Sequence, residues 1–217
     1  MEEHLYKEIY RYLGYRGMTP DEQTDALVAE CLAQAREEMQ PLSAVRRLDV
    51  RHTGEDRLLI GDMDIHSHGL ARNMQGCEKA YLLAVTIGHG IDTLIRRAEV
   101  TSMMKAAVMQ SVGAALVEEL CDRVNEEIRI AAEKEGYHCK PRFSPGYGDL
   151  ALDLQRDFER ILNMRTNLGI TLTDTLLMVP SKSVTAFVGL YRGAQECSSG
   201  GCSECNLYED CTFRDEG

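Results

Sequence analysis

The run from Thr101 to Glu135, closed by Gly136, limits most strongly how this chain can fold. It reads as one long helix, capped by Thr101 and stopped at the glycine. Its two halves differ in character. From Met103 to Val117 only Lys105, Gln110 and Ser111 interrupt apolar or small residues, whereas from Glu118 onward charges dominate one side. A helix apolar all round is a buried helix. The first half is therefore expected to run through a core, with Met103 and Met104 as packing residues, and the second half to emerge as an amphipathic surface helix. Ala107, Ser111 and Ala114 fall on one line at spacings of four and three, and Glu118 continues it. A row of small residues leading to a carboxylate leaves room for a ligand, a solvated surface acid being the alternative reading of Glu118.

The remaining pattern supplies elements to surround such a helix. A first helix spans about Glu3 to Leu13, and Thr19-Pro20-Asp21-Glu22 opens a second, with Thr19 as hydroxyl cap, that runs to about Met39. Its apolar face carries Leu27, Cys31, Leu32 and Ala35. Ser43–His52 and Arg57–Ile60 read as strands joined by the turn Thr53–Asp56, and Ser67–Met74 as a short helix. Lys79–Ile87 is a buried strand ended by Gly88-His89-Gly90, with a helix from about Ile91 to Ala98 beyond it. Leu152–Leu162 is helical, and Thr171–Val179 with Val184–Tyr191 is expected to form a hairpin. Helices and strands alternate without an even rhythm and no repeat is present. The expected class is α+β: a bent or twisted antiparallel sheet with helices packed around it and one long, partly buried helix.

Composition narrows the function. At 217 residues the chain can hold one sizeable core or two small ones. A net charge of −11 argues against a nucleic-acid partner, which requires a basic face. The longest strongly apolar run, Tyr81–Gly88, is too short to span a bilayer. No leader segment is evident, so a cytoplasmic location is expected.

Between the two halves lies KPRFSPGYGD, Lys140 to Asp149. Pro145 fixes its own φ and biases Ser144 toward an extended form. Gly146 and Gly148 permit positive φ and close approach of a ligand. Arg142 offers a planar fork of donors suited to a carboxylate. Tyr147 adds a stacking face and a hydroxyl. On spacing alone a surface turn explains the segment better than a binding loop does, because Pro/Gly clusters usually are turns.

A resemblance favours the binding loop. Arg142, Pro145, Gly146 and Tyr147 form an Arg-x-x-Pro-Gly-Tyr pattern similar to the adenosylmethionine signature of the activation domain of vitamin-B12-dependent methionine synthase. Gly169–Leu190 resembles the strand–turn–strand that follows the motif in that family, and Val117–Val124 resembles its acidic helix. Val85–Gly88 with Ile91-Asp92 looks like the version found as a separate small protein. The resemblance covers about residues 1–192. It implies that Arg142 holds the methionyl carboxylate of S-adenosylmethionine, that Pro145 and Gly146 supply backbone contacts, that Tyr147 flanks the nucleoside and that Glu118 faces the amino group. The pattern departs from the family at Gly148-Asp149, and the aspartate that the family supplies from an aromatic-rich N-terminal stretch has no counterpart here.

Residues 193–217 form a separate cysteine-rich tail, with Cys197, Cys202, Cys205 and Cys211 spaced Cys-x4-Cys-x2-Cys-x5-Cys. Four thiolates satisfy an iron–sulfur cluster, [4Fe–4S] fitting the compact spacing, or a structural zinc, a disordered or disulfide-forming tail being the remaining alternative. Cys31, Cys77, Cys121 and Cys139 stand singly and read as buried thiols. His66 and His68 alternate as same-face strand residues would, and His89 sits at a helix entry; none has a third ligand at metal spacing.

The resemblance implies a reactivation protein that binds S-adenosylmethionine and supports reductive methylation of cob(II)alamin. The cobalamin would be carried by a partner methionine synthase lacking its own activation domain, with the cysteine cluster as electron relay. A non-catalytic corrinoid-binding module with a zinc tail, or an electron-transfer protein, is the alternative. No nucleophile of its own is required.

Overall fold

The computed structural model describes residues 2–15 and 18–193. The cysteine tail at 197–211 lies outside the described residues. In chain order the elements are α1 (Glu2–Tyr12), α2 (Glu22–Glu38), β1 (Leu42–His52), β2 (Arg57–Ile60), β3 (Met63–His66), α3 (His68–Asn73), β4 (Cys77–Thr86), α4 (His89–Thr101) and α5 (Met103–Lys134). There follow β5 (His138–Cys139), a 3-10 turn at Leu152–Leu154, α6 (Gln155–Leu162), α7 (Met164–Leu168), β6 (Thr171–Leu172), β7 (Met178–Val179) and β8 (Ser183–Tyr191). The α+β class holds.

Six strands form one sheet in the order β3-β2-β1-β4-β8-β5, and β6 pairs with β7 alone. The pairs β1–β2, β2–β3 and β5–β8 are antiparallel, with Val50 opposite Ile60, Leu58 opposite Ile65 and Cys139 opposite Leu190. β8 is buried along almost its whole length and β4 through its second half, as expected of central strands covered on both faces. β1 is exposed over most of its length, with Val50 as its buried residue.

The chain divides into two compact units. Among the described residues, one comprises those up to Val45, Leu83–Ile128 and Gln155–Thr185; the other comprises Arg46–Leu82, Arg129–Leu154 and those from Ala186 to Gly193. In the first, the expected all-round burial of α5 holds only in part: Val108, Met109 and Val112 are fully enclosed and residues 111–113 and 115–117 are buried, whereas Ala107 and Gln110 are exposed. Met103 and Met104 are not core residues: they are 74% and 59% exposed, because α5 begins only at Met103 and its first turn protrudes. Thr101 is the last residue of α4, and its hydroxyl donates back to the Arg97 and Ala98 carbonyls. Ser102 caps α5 instead, accepting from the Lys105 N–H at 3.3 Å. Likewise α2 is capped by Asp21, which accepts from the Thr24 N–H at 2.7 Å, and not by Thr19. A carboxylate is at least as good an N-cap as a hydroxyl and adds a charge that favours the helix start. Val28 joins Cys31, Leu32 and Ala35 on the buried face, with Leu27 at its margin.

The expected hairpin between Thr171–Val179 and Val184–Tyr191 does not form. Thr171 pairs with Val179 and Leu172 with Met178, so that segment folds on itself, while β8 lies between β4 and β5. The cause is local. Thr173 accepts the Leu177 N–H on its hydroxyl at 3.0 Å and gives its own N–H to the Leu177 carbonyl, and Leu176 has φ +66°. A threonine hydroxyl that captures a nearby backbone N–H offers the chain a turn in place of a ladder.

Candidate functional site

The Arg142–Tyr147 segment is held in the second unit by bonds at both flanks. On entry, the Lys140 N–H donates to the Gly189 carbonyl of β8 at 2.8 Å, and Phe143 exchanges two backbone bonds with Phe187 at 3.0 and 2.8 Å. The chain then turns. Tyr147 N–H donates to the Ser144 carbonyl, Gly146 N–H to the Leu150 carbonyl and Leu150 N–H to the Tyr147 carbonyl. Gly146 and Gly148 take φ of +87° and +59°, as the two glycines were expected to permit. A side chain at Gly146 would also press on Leu152 at 3.1 Å. Pro145, within the turn, is buried.

Two side chains of the turn carry its chemistry. Arg142 is half-buried, and its Nη1 is fully enclosed. Tyr147 is 50% exposed and meets Phe143 edge to face, ring centroids 5.5 Å apart. A guanidinium partly withdrawn from water is matched to a carboxylate, and a ring braced on one side can stack a planar group on the other.

On leaving the turn, Asp149 reaches α3. Its carboxylate accepts from Ser67 Oγ at 2.7 Å, from the His68 N–H at 2.6 Å and from the Gly69 N–H at 3.1 Å. Burial works against ionisation of this carboxyl, but the bonds from Ser67, Gly69 and His68 outweigh it and hold the pKa below the ordinary aspartate value. Asn73 at the other end of α3 donates to the Pro141 carbonyl at 3.3 Å. Sequence reasoning singled out Asp149 only as a departure from a pattern and missed Asn73. The one local signal was Ser67 before a short helix, a cap with room for a second acceptor.

Glu118 belongs to the first unit, on α5. It is half-buried, and its charge bears on Tyr12 of α1, whose phenol is raised first by burial and then by Glu118. Of the row leading to it, Ser111 is buried and donates its hydroxyl to the Ala107 carbonyl at 3.1 Å, while Ala107 is exposed.

The histidines lie apart in role. His66 ends β3 and His68 opens α3, so they do not share a strand face. His89 is the first residue of α4, as read from the sequence. Among the described residues no group of three or more His, Cys, Asp or Glu side chains is placed to hold a metal, and no helix is long and apolar enough to cross a membrane. A cleft of about 720 Å³ on the second unit is lined by Arg47, Asp49, Arg51 and Lys79 and by no residue of the turn. Two of its cations are already engaged, Arg47 with Glu135 at 2.7 Å and Lys79 with Asp49 at 3.0 Å.

The fold defines an α+β domain with a long, partly buried helix and an antiparallel sheet that pins a Pro-Gly turn. Residues 21–209 match the family model described as vitamin B12 dependent methionine synthase, activation domain, and the chain belongs to that family. Among solved structures, a crystal structure of the MetH reactivation domain bound to AdoHcy matches with a TM-score of 0.57 at 17% identity, covering 89% of this chain and 77% of that one. At that identity the likeness is one of fold. No curated protein sequence matches.

Proposed function

We propose that this chain binds S-adenosylmethionine at the Arg142–Tyr147 turn and acts in trans to restore cobalamin-dependent methionine synthase whose cofactor has fallen to cob(II)alamin. The observation that carries the reading is the turn itself: an enclosed guanidinium nitrogen, a braced tyrosine and two left-handed glycines, within a chain of the activation-domain family. The MetH structure of similar fold holds AdoHcy, the demethylated form of the same ligand, which supports the ligand class.

In this reading Arg142 binds the methionyl carboxylate through its planar fork. Pro145 and Gly146 present backbone to the ligand, and Tyr147 covers the nucleoside. Glu118 is assigned to the ligand's ammonium group on family resemblance. When bound, S-adenosylmethionine supplies the methyl group that, with one electron, converts the partner's cob(II)alamin to methylcobalamin and leaves S-adenosylhomocysteine. This chain's task is positioning, and it needs no nucleophile. Residues 1–192 form the activation-like domain, and 193–217 a tail in which Cys197, Cys202, Cys205 and Cys211 supply thiolates for an iron–sulfur centre as electron relay. Cytoplasmic location follows from that role.

Titration calorimetry with S-adenosylmethionine, on the wild type and on Arg142→Ala, tests the site. The wild type is expected to bind and the variant to lose at least about tenfold in affinity. Absence of heat from the wild type, even beside a cobalamin-binding methionine synthase fragment, overturns the methyl-donor role and leaves a corrinoid-binding module. Iron content and visible absorbance after anaerobic purification test the relay; a colourless, zinc-loaded protein overturns it.

A further inference from the structure

The Arg142–Tyr147 turn is fixed on entry by its two bonds to Phe187 in β8. Its exit is fixed differently. Asp149 spans 82 residues of sequence to reach Ser67 and closes three bonds onto the start of α3. Ser67 is itself buried and accepts the Leu70 N–H at 3.0 Å, so the partner of Asp149 is held rigidly. Between these two anchors Ser144–Gly148 is braced mainly by bonds within the turn, and the space around Gly148 is open. The second end of α3 grips the same segment through Asn73 and Pro141. A six-residue helix thus touches the turn segment on both sides of Arg142 and Tyr147.

We propose that Asp149 is a positioning residue for the ligand turn: its carboxylate locks the exit of the Pro-Gly turn onto Ser67, His68 and Gly69, so that Arg142 and Tyr147 are preorganised before ligand arrives. This rests on the reading that the turn binds S-adenosylmethionine. The physical logic is that of a loop whose ordering cost is met in the free protein, so that binding does not have to meet it. Three charge-assisted bonds to one carboxylate are strong enough to hold a five-residue span.

The test compares Asp149→Ala, Asp149→Asn and Ser67→Ala with wild type in two measurements: amide hydrogen exchange of the ligand-free protein and S-adenosylmethionine affinity by calorimetry. In Asp149→Ala, exchange at residues 143–148 and at the His68 and Gly69 amides is expected to quicken about tenfold, and affinity to weaken about tenfold. Asp149→Asn, which keeps an acceptor without the charge, is expected to fall between. In an Arg142→Ala background the same substitution should have little further effect on affinity, since the two act through one turn. Ile65→Val, a buried change in β3, serves as a stability control that leaves affinity unchanged. Exchange and affinity both within twofold of wild type in Asp149→Ala overturn the proposal, as does full additivity with Arg142→Ala. If the wild type binds no S-adenosylmethionine, the proposed function fails while the exchange data still decide whether Asp149 fixes the turn. Should Asp149→Ala not fold, Asp149→Asn and Ser67→Ala decide in its place by the same criteria.

Discussion

Gly69 lies against Asp149 so closely that a Cβ on it would stand 2.9 Å from Oδ1 and 3.0 Å from Phe143 Cζ. Glycine inside a helix ordinarily costs about 1 kcal/mol relative to alanine. Here the missing side chain is what lets the carboxylate and the phenyl ring approach α3. Gly69→Ala is therefore expected to go against helix propensity: amide exchange in residues 143–149 should rise, although α3 itself gains a better helix former. An unchanged exchange pattern with a raised Tm would show that the close approach is dispensable.

The same contact fixes a pH dependence. Asp149 has a folded-state pKa below its ordinary value of 3.8. A carboxylate depressed in the folded state adds stability that is present above its unfolded pKa and lost as pH falls through the folded pKa. The Asp149–α3 bonds should therefore be indifferent to pH between 7 and 5 and should open only in acid. An NMR titration of the His68 and Gly69 amide shifts is expected to show a midpoint below 3.8. A midpoint above that value would mean that burial outweighs the three hydrogen bonds.

Much of this arrangement was legible in the sequence, and the exceptions share a cause. The long helix, the strands β1, β2 and β4, and the turn at Pro145–Gly148 follow from patterns that act over a few residues: periodicity, glycine stops and proline. β3 escaped notice although its signal was present: Gly61-Asp62 is a two-residue hairpin turn, Gly61 has φ +61°, and Ile60 pairs with Met63 across it. The failed hairpin at Thr171–Tyr191 shows local turn chemistry at Thr173 overriding β-branched composition. Asp149 is a different case. Nothing near it in sequence says that it will meet Ser67, because that bond exists only after β8 and α3 have placed both partners.

In the first unit, the start of α4 backs onto the end of α2. A Cβ at Gly90 would overlap the Glu38 carbonyl oxygen and stand 3.0 Å from the Glu38 side chain. The obstacle is backbone, which cannot rotate away as a long side chain can. Gly90→Ala is expected to cost at least about 2 kcal/mol despite a gain in helix propensity. Thermal unfolding should show a fall of at least roughly 4–8 °C. Gly148→Ala provides a contrast, since nothing lies within 4 Å of its Cβ position and only its φ of +59° opposes the change.

Gln155, the first residue of α6, and Thr185 in β8 satisfy each other in the core of the same unit. Gln155 Nε2 donates to Thr185 Oγ1 at 2.9 Å, and Thr185 Oγ1 donates to Gln155 Oε1 at 3.1 Å. Both residues are buried, at 4% and 2% exposure, so neither amide nor hydroxyl can turn to bulk water. Thr185→Val preserves shape and removes both bonds, leaving a buried amide with donor and acceptor deprived of this partner. The expected loss is about 1–3 kcal/mol, read as a lower denaturant midpoint with unchanged m-value. Gln155→Leu combined with Thr185→Val should recover part of that loss, because two apolar groups leave no polar atom stranded. A double variant less stable than the sum of its single variants would show that the pair is not the isolated unit its geometry describes.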